Sequence, residues 1–419
     1  MLLKLIWSSV KARRGMALLT MFSIAISMAV LLSVAHLEAQ LRSSFERNIS
    51  GVDVIVGSRT SSLNLLLFSV FKIGYPTNNL NWQSYREIAQ LPQVKWAIPM
   101  SLGDSHQGYG VVGTTTGYFQ HYKYGAKQAL VFAQGHQFSN NNEVVLGASV
   151  AKALNYSLGD SIVLAHGTGK VSFTQHKQFP FTVVGILAAS GTASDRSLYI
   201  PIEAIDHLHQ SAGGQPKQHE DEHHAEDEHD HAGHESTRQV SAVLLGAKSP
   251  IGILHLQRAV SQFSAEPLSA IMPGVALQEL WQLIAGIELS LKIIALLVML
   301  AALIGLITML LASMRERQRE LSVLRAMGAK AWFIVLLVEC EAVWLTLLGS
   351  AGGYALLSLT LAFVAPWLLQ EYALTIATLV SPVHFATYLG WAIGAAAVLA
   401  LIPALSAYKK SVVSGLSFN

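Results

Sequence analysis

The densest chemistry in the chain is a histidine cluster. Sixteen residues hold six histidines: His219, His223, His224, His229, His231 and His234. Glu220, Asp221, Glu222, Glu226, Asp227, Glu228, Asp230 and Glu235 stand between and beside them. Imidazole nitrogen suits zinc, copper and nickel, and interleaved carboxylates raise the local cation concentration. His223 and His224 with His219 or His229 would supply three or four ligands to one ion. The surrounding stretch, 207–237, has almost nothing to bury and is expected to be a disordered loop. Such a loop fixes no geometry, so binding would be loose and exchangeable, unlike a structural zinc site. The plainer alternative is a solvated acidic linker. Six histidines so close together weigh toward metal handling, as relay, sensor or buffer.

Other reactive groupings are weaker. Gly167-Thr168-Gly169-Lys170 is followed by Val171 and lacks the spacing of a phosphate-cradling loop. The chain is therefore not expected to hydrolyse ATP or to hold a cofactor of its own. Glu339 and Glu341 lie in an apolar segment, where charge is expensive. Glu339 falls ~10 Å along a helix from Trp332, nearer an interface than the bilayer midplane. Pairing with neighbouring arginines explains these carboxylates better than an ion pathway does. His106, His121, His136, His166 and His176 are scattered, and no Ser/His/Asp arrangement or carboxylate pair points to an enzyme.

The elements that must position these groups are membranous. The 419 residues are 52% hydrophobic and 13% charged, about half the usual charge of a soluble domain. A net charge of +2 leaves no nucleic-acid footprint. Cys340 is the one cysteine, so the extramembrane part must fold by burial without disulfides. Residues 1–14 read as a basic interfacial helix. Gly15 to Leu37 is free of Asp, Glu, Lys and Arg over 23 residues. That is long enough to cross a ~30 Å core and too long for a signal peptide's apolar region. Further spans are expected at 289–314, 332–359 and 383–405, with an outer loop at 363–382 and a tail at 406–419.

Between the first two spans, 38–288 reads as two polar stalk helices around a mixed α/β domain. Glu143 to Leu154 suggests strand, turn and helix, and Phe181 to Leu187 another strand. Leu63 to Phe71 is a largely apolar patch too short to span. A buried core helix is the favoured reading, and contact with lipid or an apolar substrate the other. No Lys or Arg occurs from Ala331 to Tyr408, whereas basic residues cluster at the N-terminus, at 315–330 and at Lys409-Lys410. The positive-inside rule puts both termini and the 315–330 loop in the cytoplasm and the large domain outside.

That loop, Arg315-Glu-Arg-Gln-Arg-Glu-Leu-Ser-Val-Leu-Arg-Ala-Met-Gly-Ala329, reads as a short amphipathic helix. Leu321, Leu324 and Met327 form its apolar stripe, and Gly328 stands where a helix takes a left-handed cap. The motif resembles the cytoplasmic signature of ABC permeases of the MacB, FtsX and LolC/LolE superfamily. Leu146 to Leu154, Leu158 to Ile162 and Phe181 to Leu187 are similar to the external domain of MacB-like members. The 207–237 insert departs from the family pattern.

The resemblance implies a four-span permease with long periplasmic stalks, set in a bacterial inner membrane. It implies a helix that docks on a separate ABC ATPase through Arg315, Glu316, Arg319, Glu320, Leu321, Leu324, Arg325 and Gly328. ATP and magnesium would sit on that partner. Two ATPases would pair with two permeases, as a homodimer, and a periplasmic binding or substrate protein would complete the set. Three functions follow: work on a periplasmic or membrane-held substrate; acquisition of a divalent metal, zinc first; or an FtsX-like scaffold that activates an external enzyme.

Overall fold

The computed structural model describes residues 14–166, 179–206, 238–316, 330–372 and 377–413. Among the described residues, four helices are long and apolar enough to cross a membrane, and a mixed α/β domain lies between the first two. It divides into two compact units. One comprises Met1–Leu41, Ile284–Leu368 and Ile376–Asn419; the other comprises Arg42–Leu283 with Leu369–Thr375.

In the first unit, α1 (Arg14–Asn48) contributes its N-terminal part. The other long helices span Pro273–Glu316, Ala331–Tyr372 and Pro382–Val413. Ile24, Met28, Leu32, Met299, Leu306, Val338, Leu345 and Ala396 belong to one buried apolar cluster. Small residues let two helices approach closely. A Cβ on Gly353 would lie 2.4 Å from Ala25 O, and one on Gly349 2.8 Å from Ile24 Cβ. This Gly-x-x-x-Gly pair is a packing device familiar where both helices face lipid. Helix Ala331–Tyr372 continues past Pro366. Residues 363–372, expected in an outer loop, therefore continue the helix. Ala365, Leu368, Leu369 and Gln370 favour helix and offset the backbone bond that the proline removes.

The second unit is organised on one eleven-stranded sheet. In chain order it contains β1 (Val54–Ser58), α2 (Ser62–Ser69), β2 (Leu80–Asn81), α3 (Trp82–Ala89), β3 (Val94–His106), β4 (Tyr109–Thr114) and α4 (Gly117–His121). There follow β5 (Lys123–Tyr124), β6 (Gln128–Ala129), β7 (Phe132–Gly135), β8 (Glu143–Leu146), α5 (Ala148–Leu154), β9 (Ser161–Ile162) and β10 (Ala165–His166). β11 (Phe181–Leu187), a 3-10 turn (Ala193–Arg196), β12 (Ser197–Pro201), β13 (Gln239–Val240), β14 (Ala242–Ala247), α6 (Pro250–Ser261) and β15 (Leu268–Ile271) complete it. Helix α7 is Pro273–Glu316, α8 Ala331–Tyr372 and α9 Pro382–Val413.

The sheet order is β15-β1-β14-β3-β4-β12-β8-β11-β7, with β10 added on β3 and β9 on β11. Most pairs are antiparallel, but β11–β8 and β12–β4 are parallel. Two apolar clusters support it. One gathers Val54, Val56, Leu80, Val243, Leu256 and Leu268. The other gathers Val111, Val144, Val150, Phe181, Leu198 and Ile205. The 63–71 patch is a core element: Leu65, Leu66, Phe68, Val70 and Phe71 are buried. Pro273 at the first turn of α7 costs no hydrogen bond, so a helix of 44 residues starts directly after β15.

Candidate functional site

Most of the residues singled out for docking and metal binding lie outside the described residues. Of the docking set, Arg315 and Glu316 are described, exposed at the end of α7. Arg319, Glu320, Leu321, Leu324, Arg325 and Gly328 are not. His219, His223, His224, His229, His231 and His234 are likewise outside. Among the described residues no group of three or more His, Cys, Asp or Glu side chains is placed to hold a metal.

What the structure does place is the root of the histidine insert. Asp206 precedes it and Arg238 follows it. Arg238 Nε donates to Asp206 Oδ2 at 2.5 Å, and its Nη1 lies 3.9 Å from Glu203 Oε1. The same guanidinium stacks over Trp82, 4.5 Å from the ring centre. Behind it, Gln239 and Val240 pair with Asn81 and Leu80. The insert thus leaves and re-enters the domain through an ion-paired, half-buried base.

The two stalk helices are the second functional feature. In the first unit, α1 is held on two sides. Lys292 of α7 lies 2.8 Å from Glu38 Oε2 and also pairs with Glu288 one turn away. On the opposite side, His36 Nε2 donates to Ala377 O at 2.9 Å, while Gln40 Oε1 accepts from Ala377 N at 3.3 Å. His36 and Gln40 are four apart and share a face, whereas Glu38 points away from it. In the second unit, Phe45 sits against Phe71 at 4.5 Å and against Trp281 at 5.6 Å between ring centres. Arg42 covers the Trp281 ring. Both stalks and the end of α2 therefore meet in one aromatic cluster.

Glu341 is buried and partnered. Glu339 Oε1 is buried with no hydrogen-bond partner among the described residues. Of the scattered histidines, His106 is a satisfied core residue. Its Nδ1 donates to Val163 O at 2.7 Å and its Nε2 accepts from Tyr156 at 2.9 Å. Burial holds its imidazole below the usual range, against the opposing pull of the Val163 carbonyl.

Lys72 was not foreseen as unusual. It follows α2 with a left-handed backbone, φ +58°. Its amine donates to Ser69 O at 2.5 Å and lies 3.7 Å from Met100 Sδ. Burial alone lowers its pKa to about 7. No sequence signal distinguishes it from a surface lysine.

Comparison with known proteins covers both units. The family model of the MacB-like periplasmic core domain matches residues 17–232, more than half the chain. That of the FtsX-like permease C-terminal region matches residues 292–412. No curated protein matches. Among solved structures, the periplasmic region of MacB from Actinobacillus actinomycetemcomitans shares 14% identity at a TM-score of 0.34. That alignment covers 56% of this chain and 97% of that one. The extracellular domain of the noncanonic ABC-type transporter YknZ from Gram-positive bacteria shares 14% identity at a TM-score of 0.30. There the coverage is 52% of this chain and 99% of that one.

Proposed function

From the premise that the chain belongs to the MacB- and FtsX-type family of ABC transporter permeases, we propose that it turns ATP hydrolysis in a partner into work on an external substrate. The family implies an ABC ATPase as partner and dimerisation in general, and it fits an inner-membrane protein with a periplasmic domain. The finer reading has two ATPase chains docking on two identical permease chains through Arg315, Glu316, Arg319, Glu320, Leu321, Leu324, Arg325 and Gly328. Both termini would face the cytoplasm. A periplasmic binding or substrate protein would meet the outer domain.

The observation that carries this reading is the continuity of α7. Its 44 residues run from β15 to Glu316, the edge of the docking stretch. At 1.5 Å per residue that is ~66 Å, about twice a bilayer core. One continuous helix runs in the chain from the strand β15 to the start of the proposed ATPase contact. Replacing Leu324 with Asp puts a charge on the apolar stripe. The ATPase should no longer co-purify, while the permease keeps its folded yield. Normal co-purification would refute the docking assignment.

The insert supports a metal-responsive form of the same function. Its six clustered histidines would take zinc, and a closed base at Asp206 and Arg238 keeps them attached to the outer domain. ATPase rate of the permease–ATPase complex, measured against free zinc, tests it. A zinc response that disappears on deleting 219–234 supports a metal input. A flat curve in both forms leaves the insert a linker. Growth on scarce zinc that depends on the insert would instead favour metal uptake. Cell-wall defects on deleting the gene would favour an FtsX-like scaffold.

A further inference from the structure

The two stalks reach the sheet at the same place along the chain. α1 leads into β1, and β15 leads into α7. β1 and β15 are paired, with Ile55 opposite Ile271. Through covalent connections alone, both stalks would move only the half of the domain that contains Val54, Val243 and Leu268.

Asn48 makes a second attachment. It is the last residue of α1 and is buried, 6% exposed. Its Nδ2 donates to Ser44 O at 2.8 Å, within its own helix. Its Oδ1 accepts from Ala193 N at 2.8 Å, and its main-chain oxygen accepts from Tyr122 at 2.8 Å. Ala193 opens the turn between β11 and β12, strands that belong to the other half. Tyr122 stacks on Tyr118 at 4.8 Å, and Tyr118 on Tyr199 of β12 at 4.9 Å. Two further bonds tie the end of α1 to the β5–β6 hairpin, Gly125 N to Arg47 O and Lys127 N to Ser50 Oγ. Of these contacts, the Asn48 side chain alone bonds the 190–197 turn directly from α1; the Tyr122 path reaches it through Tyr118, whose hydroxyl lies 3.1 Å from Ser194 Oγ.

The turn is built to respond as a piece. The Asp195 carboxylate accepts from Ser190 N, Ser190 Oγ and Gly191 N, all within 3.0 Å. Behind it, a Cβ on Gly147 would lie 2.4 Å from Asp195 O, and Gly147 N donates to Ser197 O at 2.9 Å. A shift at Ala193 therefore presses on the start of α5 and on β12.

We infer that Asn48 is a positioning residue: it passes displacement of the α1 stalk into the Ser190–Ser197 turn, so that relative movement of the two stalks shears one half of the outer sheet against the other. This inference rests on the reading that a partner ATPase drives the stalks. Coupling of this kind needs a demonstrated response at both ends.

Hydrogen exchange of the full-length permease–ATPase complex in lipid nanodiscs, with and without ATP, supplies it. Two variants cut the joint from opposite sides. Asn48→Ala removes the acceptor. Ala193→Pro removes the donor at a position that tolerates proline, because Thr192 is already extended, φ −122° and ψ 174°. In the wild type, ATP should change exchange both in 42–48 and in 190–197. In both variants, 42–48 should still respond and 190–197 should not. In Asn48→Ala, Ala193 should exchange about tenfold faster without nucleotide. The inference falls if the turn follows ATP in the variants, or if the wild-type stalk responds and its turn does not. If ATP moves neither segment in the wild type, the driving role of the ATPase fails, and the inference fails with it.

Discussion

Asp206 and Arg238 are thirty-two positions apart in the sequence and ion-paired in the fold, with 207–237 running between them. Arg238 also lies over Trp82, so one guanidinium closes the insert and covers an aromatic of α3. Its side chain is only 13% exposed. Such a pair is less screened than a surface ion pair, and removing one partner leaves the other charge poorly solvated.

Arg238→Ala should therefore destabilise the outer domain by about 1–3 kcal/mol. Replacing 207–237 with a short Gly-Ser linker should cost much less, since the clasp remains and a shorter loop closes at lower entropy. Thermal unfolding of the full-length protein in detergent separates the two. A linker variant as unstable as Arg238→Ala would mean that the insert itself supports the fold.

The close crossing of α1 and α8 gives a second expectation. A Cβ at Gly353 would press on backbone, 2.4 Å from Ala25 O, whereas one at Gly352 would sit at an ordinary 3.6 Å from Ala25 Cβ. Gly353→Ala should cost about 1–3 kcal/mol by overpacking. Gly352→Ala should be neutral or slightly stabilising, because alanine favours helix. Equal melting temperatures for the two variants would contradict this packing.

Long spans and the α/β character of the outer domain were legible because apolar run length and strand-like patterning are local signals. Asn48 was not. A polar residue near the end of a helical stretch reads as a terminator, and nothing local says that its oxygen meets Ala193. The clasp was hidden for the same reason: Asp206 and Arg238 are ordinary surface charges until the chain returns. Lys292 lay inside an expected span, 289–314, and the partner that makes it tolerable, Glu38, is on another helix. Gly349 and Gly353 were visible, but only the facing backbone of α1 shows what their size is for.

Lys72 makes the outer domain sensitive to pH. Its folded-state pKa is about 7 against an ordinary value of 10.5. Between these values the unfolded chain binds more protons, so stability rises with pH. Below pH 7 both states are protonated and the cost of desolvating the half-buried cation is felt. Lys72→Met should flatten the rise in melting temperature between pH 7 and 10 and should stabilise the protein at pH 7 by about 1–3 kcal/mol. An unchanged slope in the variant would place the titration elsewhere.

The Glu38–Lys292 ion pair links α1 and α7 in the first unit, beside a hydrogen bond from Ser27 Oγ to Val298 O at 3.3 Å, and a double-mutant cycle tests whether the ion pair binds them together. Lys292 also pairs with Glu288 on its own helix, so losing Glu38 alone leaves it a partner. Glu38→Gln should then cost less than Lys292→Met, which takes the cation away from two carboxylates at once. The double variant should cost less than the sum of the two, with a coupling of about 0.5–2 kcal/mol. Glu288→Gln in place of Glu38→Gln should weaken the helix without loosening α1 from α7. A cysteine pair placed across the α1–α7 contact would therefore crosslink normally in Glu288→Gln and poorly in Glu38→Gln. Equal crosslinking in both would show that the contact does not hold the stalks, and that their spacing is set by the apolar cluster around Met28 and Met299.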